Sequence, residues 1–423
     1  MGNKRKERDR AVGASRRRWI AAAVVAVVAG ASWYGLYWHP KQVEKAAQTA
    51  LRQGDQLRGQ NRMDEAAAHY RRATDLKPDW AQAWTNLAMT HAAAERFAEA
   101  LPLYERAVAL APDLFEAQIG LALTHDGLGD FLAAEEGYRK SLALRSDYGG
   151  VFYSLGYLYQ QQGLYAEAAV QYEEAIVRIP SFLRALANLG LVYDLQHDPG
   201  KAVEVYQRAL RSHPDEGPVH ARLGKSYMKL SDYEGAKQAY RRALELGVEK
   251  PGPYYDLGVV SEQEDRLEAA RSYFHQALLK DASHADSYHR LGAVTAKMGE
   301  GDLAATYYLE AIKRNPGHAG AHYSLAQLYL QQGRVDEGQE LMEIFARLRE
   351  YEGRLASAKR AVEQAPRDAQ AAYDLGMLHL EFGYVNKAEA VFDLLLKLHP
   401  GHAGAVERLV EIGRVKTEQG AAG

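Results

Sequence analysis

Gly149 to Phe182 reads GGVFYSLGYLYQQQGLYAEAAVQYEEAIVRIPSF. Phe152, Leu155, Gly156 and Tyr159 recur at helical spacing, Gln162-Gly163-Leu164 interrupts them, and Ala168, Tyr172 and Ala175 resume the pattern ahead of Pro180. Period 3.6 occurring twice, with glycine after the first run and proline beyond the second, predicts two short helices joined by a turn. A helix of about 14 residues is about 21 Å long and marginal alone in water. Such a pair has to be held by neighbours.

The neighbours are copies. In rows of 34 residues from Ala47, the eighth column holds Gly54, Ala88, Ala122, Gly156, Gly190, Gly224, Gly258, Gly292 and Ala326. The twentieth column is alanine from Ala66 through Ala168 to Ala304, and the twenty-fourth is aromatic from Tyr70 through Tyr172 to Tyr308. Pro78, Pro112, Pro180, Pro214 and Pro316 close their rows. A fixed period of this length specifies a stacked repeat protein, which builds a surface rather than a catalytic pocket. The small columns let two helix backbones approach, and the ring fills the space beside them.

The pattern resembles the tetratricopeptide repeat, whose signature is Trp-x2-Leu-Gly-x2-Tyr followed by Ala, an aromatic, Ala and Pro. Trp84-x2-Leu87-Ala88, Leu155-Gly156-x2-Tyr159 and Leu189-Gly190-x2-Tyr193 are instances. Nine rows cover 47–352 and a tenth covers 369–402. The resemblance implies an all-α, right-handed superhelical solenoid of about ten helix–turn–helix repeats. It implies a scaffold and names no partner, since one fold hosts many functions.

The departures are local. Gly338, Met342 and Phe345 stand where row nine should have Ala, Tyr and Ala, and an extra helical insert, 353–368, precedes the last row. Val335 to Gln364 contains no proline, which predicts one long helix or a helix broken near Gly353, acting as spacer, hinge or docking ridge. Residues 403–416 are expected as a capping helix and 417–423 as a disordered tail. Such caps cover the open end of a repeat stack.

At the other end, Trp19 to Trp38 are twenty residues without a charge, flanked by Trp19 on one side and Trp33, Tyr34, Tyr37 and Trp38 on the other. Twenty residues suffice to cross a bilayer, and aromatic rings suit its edges. The segment 19–38 is therefore expected as a single transmembrane anchor, ahead of a short link at 39–46. A cleavable signal at Ala29-Gly30-Ala31 and a twin-arginine signal at Arg16-Arg17 are the competing readings. Residues 1–18 carry net charge +6, which retains them on the cytoplasmic side and puts the repeats in the periplasm of a bacterial-type inner membrane.

The whole chain carries −3, so the part beyond residue 18 carries −9 and offers no basic field for nucleic acid. There is no cysteine, which excludes disulfides and thiolate metal sites. No catalytic, cofactor-binding or metal-binding residue is predicted. Gly224-Lys225-Ser226 lacks the earlier glycine of a phosphate loop, since that place is Val219. His284, His318 and His402 share the last column with Trp80, Tyr148 and Phe182, which reads as packing at the inter-repeat turn.

In the repeat family, first helices line a concave groove and ligands touch columns 2, 5, 6, 9, 12 and 13. Carried over residue by residue, the resemblance nominates Tyr153, Tyr157, Asn188, Arg222, Lys225, Tyr255, His289, Arg290, Tyr323 and Tyr373. Tyrosine supplies contact area with a polar tip at low entropic cost. The competing reading is that several rings pack along their helix. Asn188 and Arg222 match two places of the clamp that grips chaperone C-termini, but Tyr153, Tyr157 and Pro218 occupy the others. The expected function is a membrane-anchored scaffold or assembly factor for an envelope assembly or export system, binding a peptide segment or partner protein. A cytoplasm-facing adaptor and a polysaccharide-binding accessory are the alternatives.

Overall fold

The computed structural model describes residues 39–421, and they fall into two compact units divided between Arg145 and Ser146. All regular structure among the described residues is helical. The first unit holds α1 (His39–Gly59), α2 (Met63–Leu76), α3 (Ala81–Ala93), α4 (Phe97–Leu110), α5 (Phe115–Leu128) and α6 (Phe131–Leu144). The second begins with α7 (Gly149–Gln161), α8 (Tyr165–Arg178), α9 (Leu183–Leu195), α10 (Pro199–Ser212), α11 (Gly217–Lys229), α12 (Tyr233–Glu245), α13 (Pro251–Gln263) and α14 (Leu267–Lys280). It continues through α15 (Ala285–Lys297), α16 (Gly301–Arg314), α17 (Ala319–Gln331), α18 (Val335–Gln364), α19 (Ala369–Glu381), α20 (Val385–Leu398) and α21 (Ala403–Ala421).

Odd-numbered helices up to α19 are the first helices of ten rows and even-numbered ones the second. Each first helix packs on the second helix of its own row, and within each unit that second helix packs on the next first helix. The columns explain the contact. A Cβ built on Gly156 would lie 2.9 Å from the Tyr172 ring, and one on Gly190 would lie 2.5 Å from the Tyr206 ring. Gly224, Gly258 and Gly292 stand in the same relation to Tyr240, Phe274 and Tyr308. The rings Tyr70, Tyr138, Tyr172, Tyr206, Tyr240, Phe274 and Phe392 are fully buried. Burying one such ring removes about 150–250 Å² from water, roughly 4–6 kcal/mol of gross hydrophobic stabilisation before entropy is counted.

The turn inside each row has one demanding position, the fifteenth column, where φ is positive in every row. Glycine fills it at Gly129, Gly163, Gly299, Gly333 and Gly383, whereas Asn61, Glu95, His197, Ser231 and Asp265 adopt the same left-handed conformation. Some turns between rows are closed by side-chain caps. His284, His318 and His402 are N-cap residues whose Nδ1 accepts from the amides of Ser287 (3.2 Å), Ala321 (3.0 Å) and Ala405 (3.1 Å). The last-column histidines thus start the following helix as well as packing at the turn.

Two expected boundaries are corrected, and one open alternative is resolved. Residues 39–46 are no link but the first turns of α1, because Val43 and Ala46 join Ala47 and Ala50 on one helical face. Residues 335–364 form one unbroken α18 through Gly353. α21 runs on to Ala421, so residues 417–421 continue the capping helix instead of forming a disordered tail. Among the described residues no helix is long and apolar enough to cross a membrane. The expected anchor at 19–38 lies outside the described residues.

Candidate functional site

The ten nominated side chains all lie on first helices, and the structure sorts them by what they touch. The column-five rings belong partly to their own row's core. Tyr153 lies 5.8 Å from Tyr172 and 5.0 Å from Phe182, centroid to centroid. Tyr255 repeats this against Phe274 (5.7 Å) and His284 (5.2 Å), and Tyr373 against Phe392 (5.7 Å) and His402 (5.2 Å). His289 lies 5.8 Å from Tyr308 and 4.7 Å from His318. Row nine lacks the usual ring, and Tyr323 meets Phe345 at 5.0 Å instead. Tyr153, Tyr255, His289 and Tyr373 thus fill the wedge between their row's second helix and the turn that follows.

Column six then ties rows five, six and nine to the row before by a step of 35 residues. The Asn188 amide donates to the Tyr153 hydroxyl at 3.5 Å and to the Tyr172 hydroxyl at 3.3 Å. Arg222 donates to the Ala187 carbonyl at 3.1 Å, and His289 Nε2 lies 3.1 Å from the Ser324 hydroxyl. These residues are half-buried. They form a polar seam along adjacent first helices.

Beneath the seam lie carboxylates that sequence reasoning missed. Asp194 is buried and accepts from Ser226 at 2.7 Å and Lys229 at 2.8 Å. Glu262 is buried and accepts from Lys297 at 2.7 Å and Arg290 at 3.3 Å. Asp256 accepts the Tyr240 hydroxyl at 2.6 Å; burial raises its carboxyl above the ordinary range, against the pull of that hydroxyl and of the Lys225 charge. Burial also pushes Tyr240 upward, and Tyr255 upward against its bond to Arg290. The available signal was an acidic residue in column twelve followed 35 residues later by lysine, as in Asp194–Lys229 and Glu262–Lys297.

Three nominated side chains remain exposed: Tyr157, Lys225 and Tyr323. Tyr157 and Tyr323 are each 43 % exposed, large for aromatic rings beside a packed seam. Among the described residues Lys225 has no carboxylate within salt-bridge distance, and it acts on Asp256 through space. The face therefore offers aromatic area at rows four and nine and a cation at row six. Of the apparent chemistry elsewhere, Ser226 and Gly224 belong to the core, the first bonded to Asp194 and the second against Tyr240. His318 Nε2 faces Asp286 at 3.1 Å and His322 Nε2 faces the Pro316 carbonyl at 3.0 Å.

The tetratricopeptide-repeat family profile matches residues 51–115, 119–182, 153–217, 221–287, 290–341 and 344–403. The chain belongs to that family, whose members are generally non-enzymatic, protein-binding scaffolds. No curated protein sequence matches it. Among solved structures it is similar to MamA, at 26 % identity over 39 % of this chain and 97 % of that one, with a TM-score of 0.36. It is similar to PilF of Pseudomonas aeruginosa at 22 % identity over 51 % of this chain and 97 % of that one, with a TM-score of 0.44. A third, YrrB, described as a TPR protein with an unusual peptide-binding site, shares 23 % identity over 44 % of this chain and 97 % of its own, with a TM-score of 0.39.

Proposed function

We propose that this chain is a membrane-anchored scaffold that holds an extended peptide or a segment of a partner protein along the face of its first helices. The observation that carries the reading is the seam of 35-residue bridges, Tyr153–Asn188, Ala187–Arg222 and His289–Ser324. The seam fixes backbone and polar groups in register, and Tyr157, Lys225 and Tyr323 project into solvent from the helices that carry Tyr153, Arg222 and Ser324. Rigid aromatic anchors beside adaptable polar groups suit protein recognition at low entropic cost. The anchor is residues 19–38, with the basic N-terminus in the cytoplasm and the repeats on the periplasmic side, serving an envelope assembly or export system.

Protease treatment of a C-terminally tagged chain tests the placement. Digestion in spheroplasts but not in intact cells agrees with periplasmic repeats. Protection until detergent is added overturns the orientation and makes a cytoplasm-facing adaptor the better reading.

A further inference from the structure

The second half of α18 keeps the register of a repeat. Ala361, Pro366 and Asp368 have the spacing of Ala175, Pro180 and Phe182. The Ala365 amide donates to the Ala361 carbonyl at 3.1 Å, as Ile179 does to Ala175 at 2.9 Å and His213 to Ala209 at 2.9 Å. Asp368 then caps α19 through the Gln370 amide at 2.8 Å, at the place where His318 caps α17. By every local criterion this is the end of a second helix. No first helix precedes it, because the chain arrives straight from the second helix of row nine.

The burial pattern records the missing partner. Ala73, Ala107, Ala175, Ala209 and Ala311 occupy the same column and are 0 % exposed, whereas Ala361 is exposed. Among the described side chains of α18 only Gly338 and Tyr351 are buried. One face of the half-repeat is satisfied: Tyr351 packs on Phe382 (5.1 Å) and Tyr384 (4.5 Å) and bonds His379 at 2.9 Å. The adjoining face is a shallow, open groove of about 620 Å³ lined by Gly353, Arg354, Ser357 and Ala358 of α18 and by Asp374 and Leu378 of α19. In register, Ala358 takes the column of Tyr172 and Asp374 that of Asn188. Between Tyr172 and Asn188 sits Tyr153, a residue of row four's own first helix.

We infer that α18 and α19 form a docking slot for an amphipathic α-helix of a partner protein, which takes the place of the absent first helix. The regular rows show what fits: a helix, thirteen residues long in α7, α9 and α11. They also show its shape by complement. Regular rows set glycine against a ring, and here the ring's column holds Ala358, so the incoming helix carries a bulky apolar side chain at the glycine's place. Interiors close only at such matched volumes, and binding through one helix face in a groove is a recurring mode.

The absence of cysteine permits a direct test. Ser357→Cys carries an environment-sensitive dye, and the probe is a hydrocarbon-stapled helical peptide of residues 319–331 with Ala326→Leu, a bulky residue in the eighth column. Saturable binding at least tenfold tighter than that of the same peptide with Ala326, and at least tenfold weaker in a Gly353→Leu protein, is the expected result. A Cβ on Gly353 meets nothing within 4 Å, so that variant blocks the slot without straining the fold; an Ala358→Leu protein serves as the second block. The inference is overturned if the Leu peptide does not saturate, if both peptides bind equally, or if neither block weakens binding.

Discussion

Lys229 returns to a residue one row earlier: its ammonium lies 2.8 Å from Oδ1 of the buried Asp194 and 3.0 Å from the carbonyl oxygen of the same residue. The step is 35 residues, and Lys297 repeats it on Glu262 at 2.7 Å. These bridges lock neighbouring first helices and hold negative charge beneath the face that carries Lys225. Lys229→Met leaves Asp194 without its cation. Because the lysine side chain is 38 % exposed, the expected cost is discounted for screening to about 1–3 kcal/mol. Urea unfolding checks it, with Lys225→Met expected within about 0.5 kcal/mol of the parent.

Tyr172 and Tyr157 separate core from candidate surface. Tyr172→Ala removes a fully buried ring from against Gly156 and is expected to cost about 3–5 kcal/mol. Tyr157→Ala touches an exposed ring and is expected to change stability by less than about 0.5 kcal/mol. Equal shifts in melting temperature for the two would contradict the assignment of columns.

Column fifteen makes a prediction of opposite sign. Glu95 (φ 57°) and Ser231 (φ 59°) hold a left-handed conformation that costs an L-residue roughly 1–2 kcal/mol. Glu95→Gly and Ser231→Gly are each expected to stabilise their unit by about 0.5–1 kcal/mol, since glycine's larger unfolded-state entropy offsets part of the gain. Gly163→Ala, at φ 74°, should destabilise. Chemical denaturation of the single variants measures all three.

His289 adds a pH dependence. Burial, then the charges of His318 and Arg290, push its imidazole down to about 4. The unfolded chain therefore binds the proton more readily than the folded one. The contribution is intact above the ordinary histidine value of about 6.5 and is lost as pH falls from there toward 4, at up to about 1.4 kcal/mol per unit. His289→Gln should flatten that part of the stability profile between pH 7 and 4.5. Parallel profiles for the two proteins would show that His289 is not the group responsible.

The alternation of small and aromatic columns makes the repeat legible in the sequence, because close helix contact tolerates little else at Gly156 and Tyr172. Other features are set by geometry that several residue types satisfy. Column fifteen demands a backbone conformation, and Glu95, His197 and Gly163 all supply it. His318 reads as a packing ring, and its capping role depends on which nitrogen faces the Ala321 amide. The nominated face was legible as a set of columns but not as exposure: Tyr153 and Tyr255 are held in ring clusters, while Tyr157 and Tyr323 project. Asp194 and Glu262 are not marked by the repeat signature, because their partners lie on the next first helix, 35 residues away. The half-repeat in α18 was masked because Ala361 and Pro366 are only fragments of the signature.

Photo-crosslinking tests the central claim most directly. Benzoylphenylalanine placed singly at Tyr157, Lys225 and Tyr323 reports on the first-helix face in cells expressing the chain. The same residue at Val177 and Leu279, 73 % and 83 % exposed on second helices, reports on the opposite helix layer. One shared protein adduct from the first three positions and none from the last two is the predicted result. Adducts from Val177 or Leu279 alone, or none from any position, would contradict binding along the first helices.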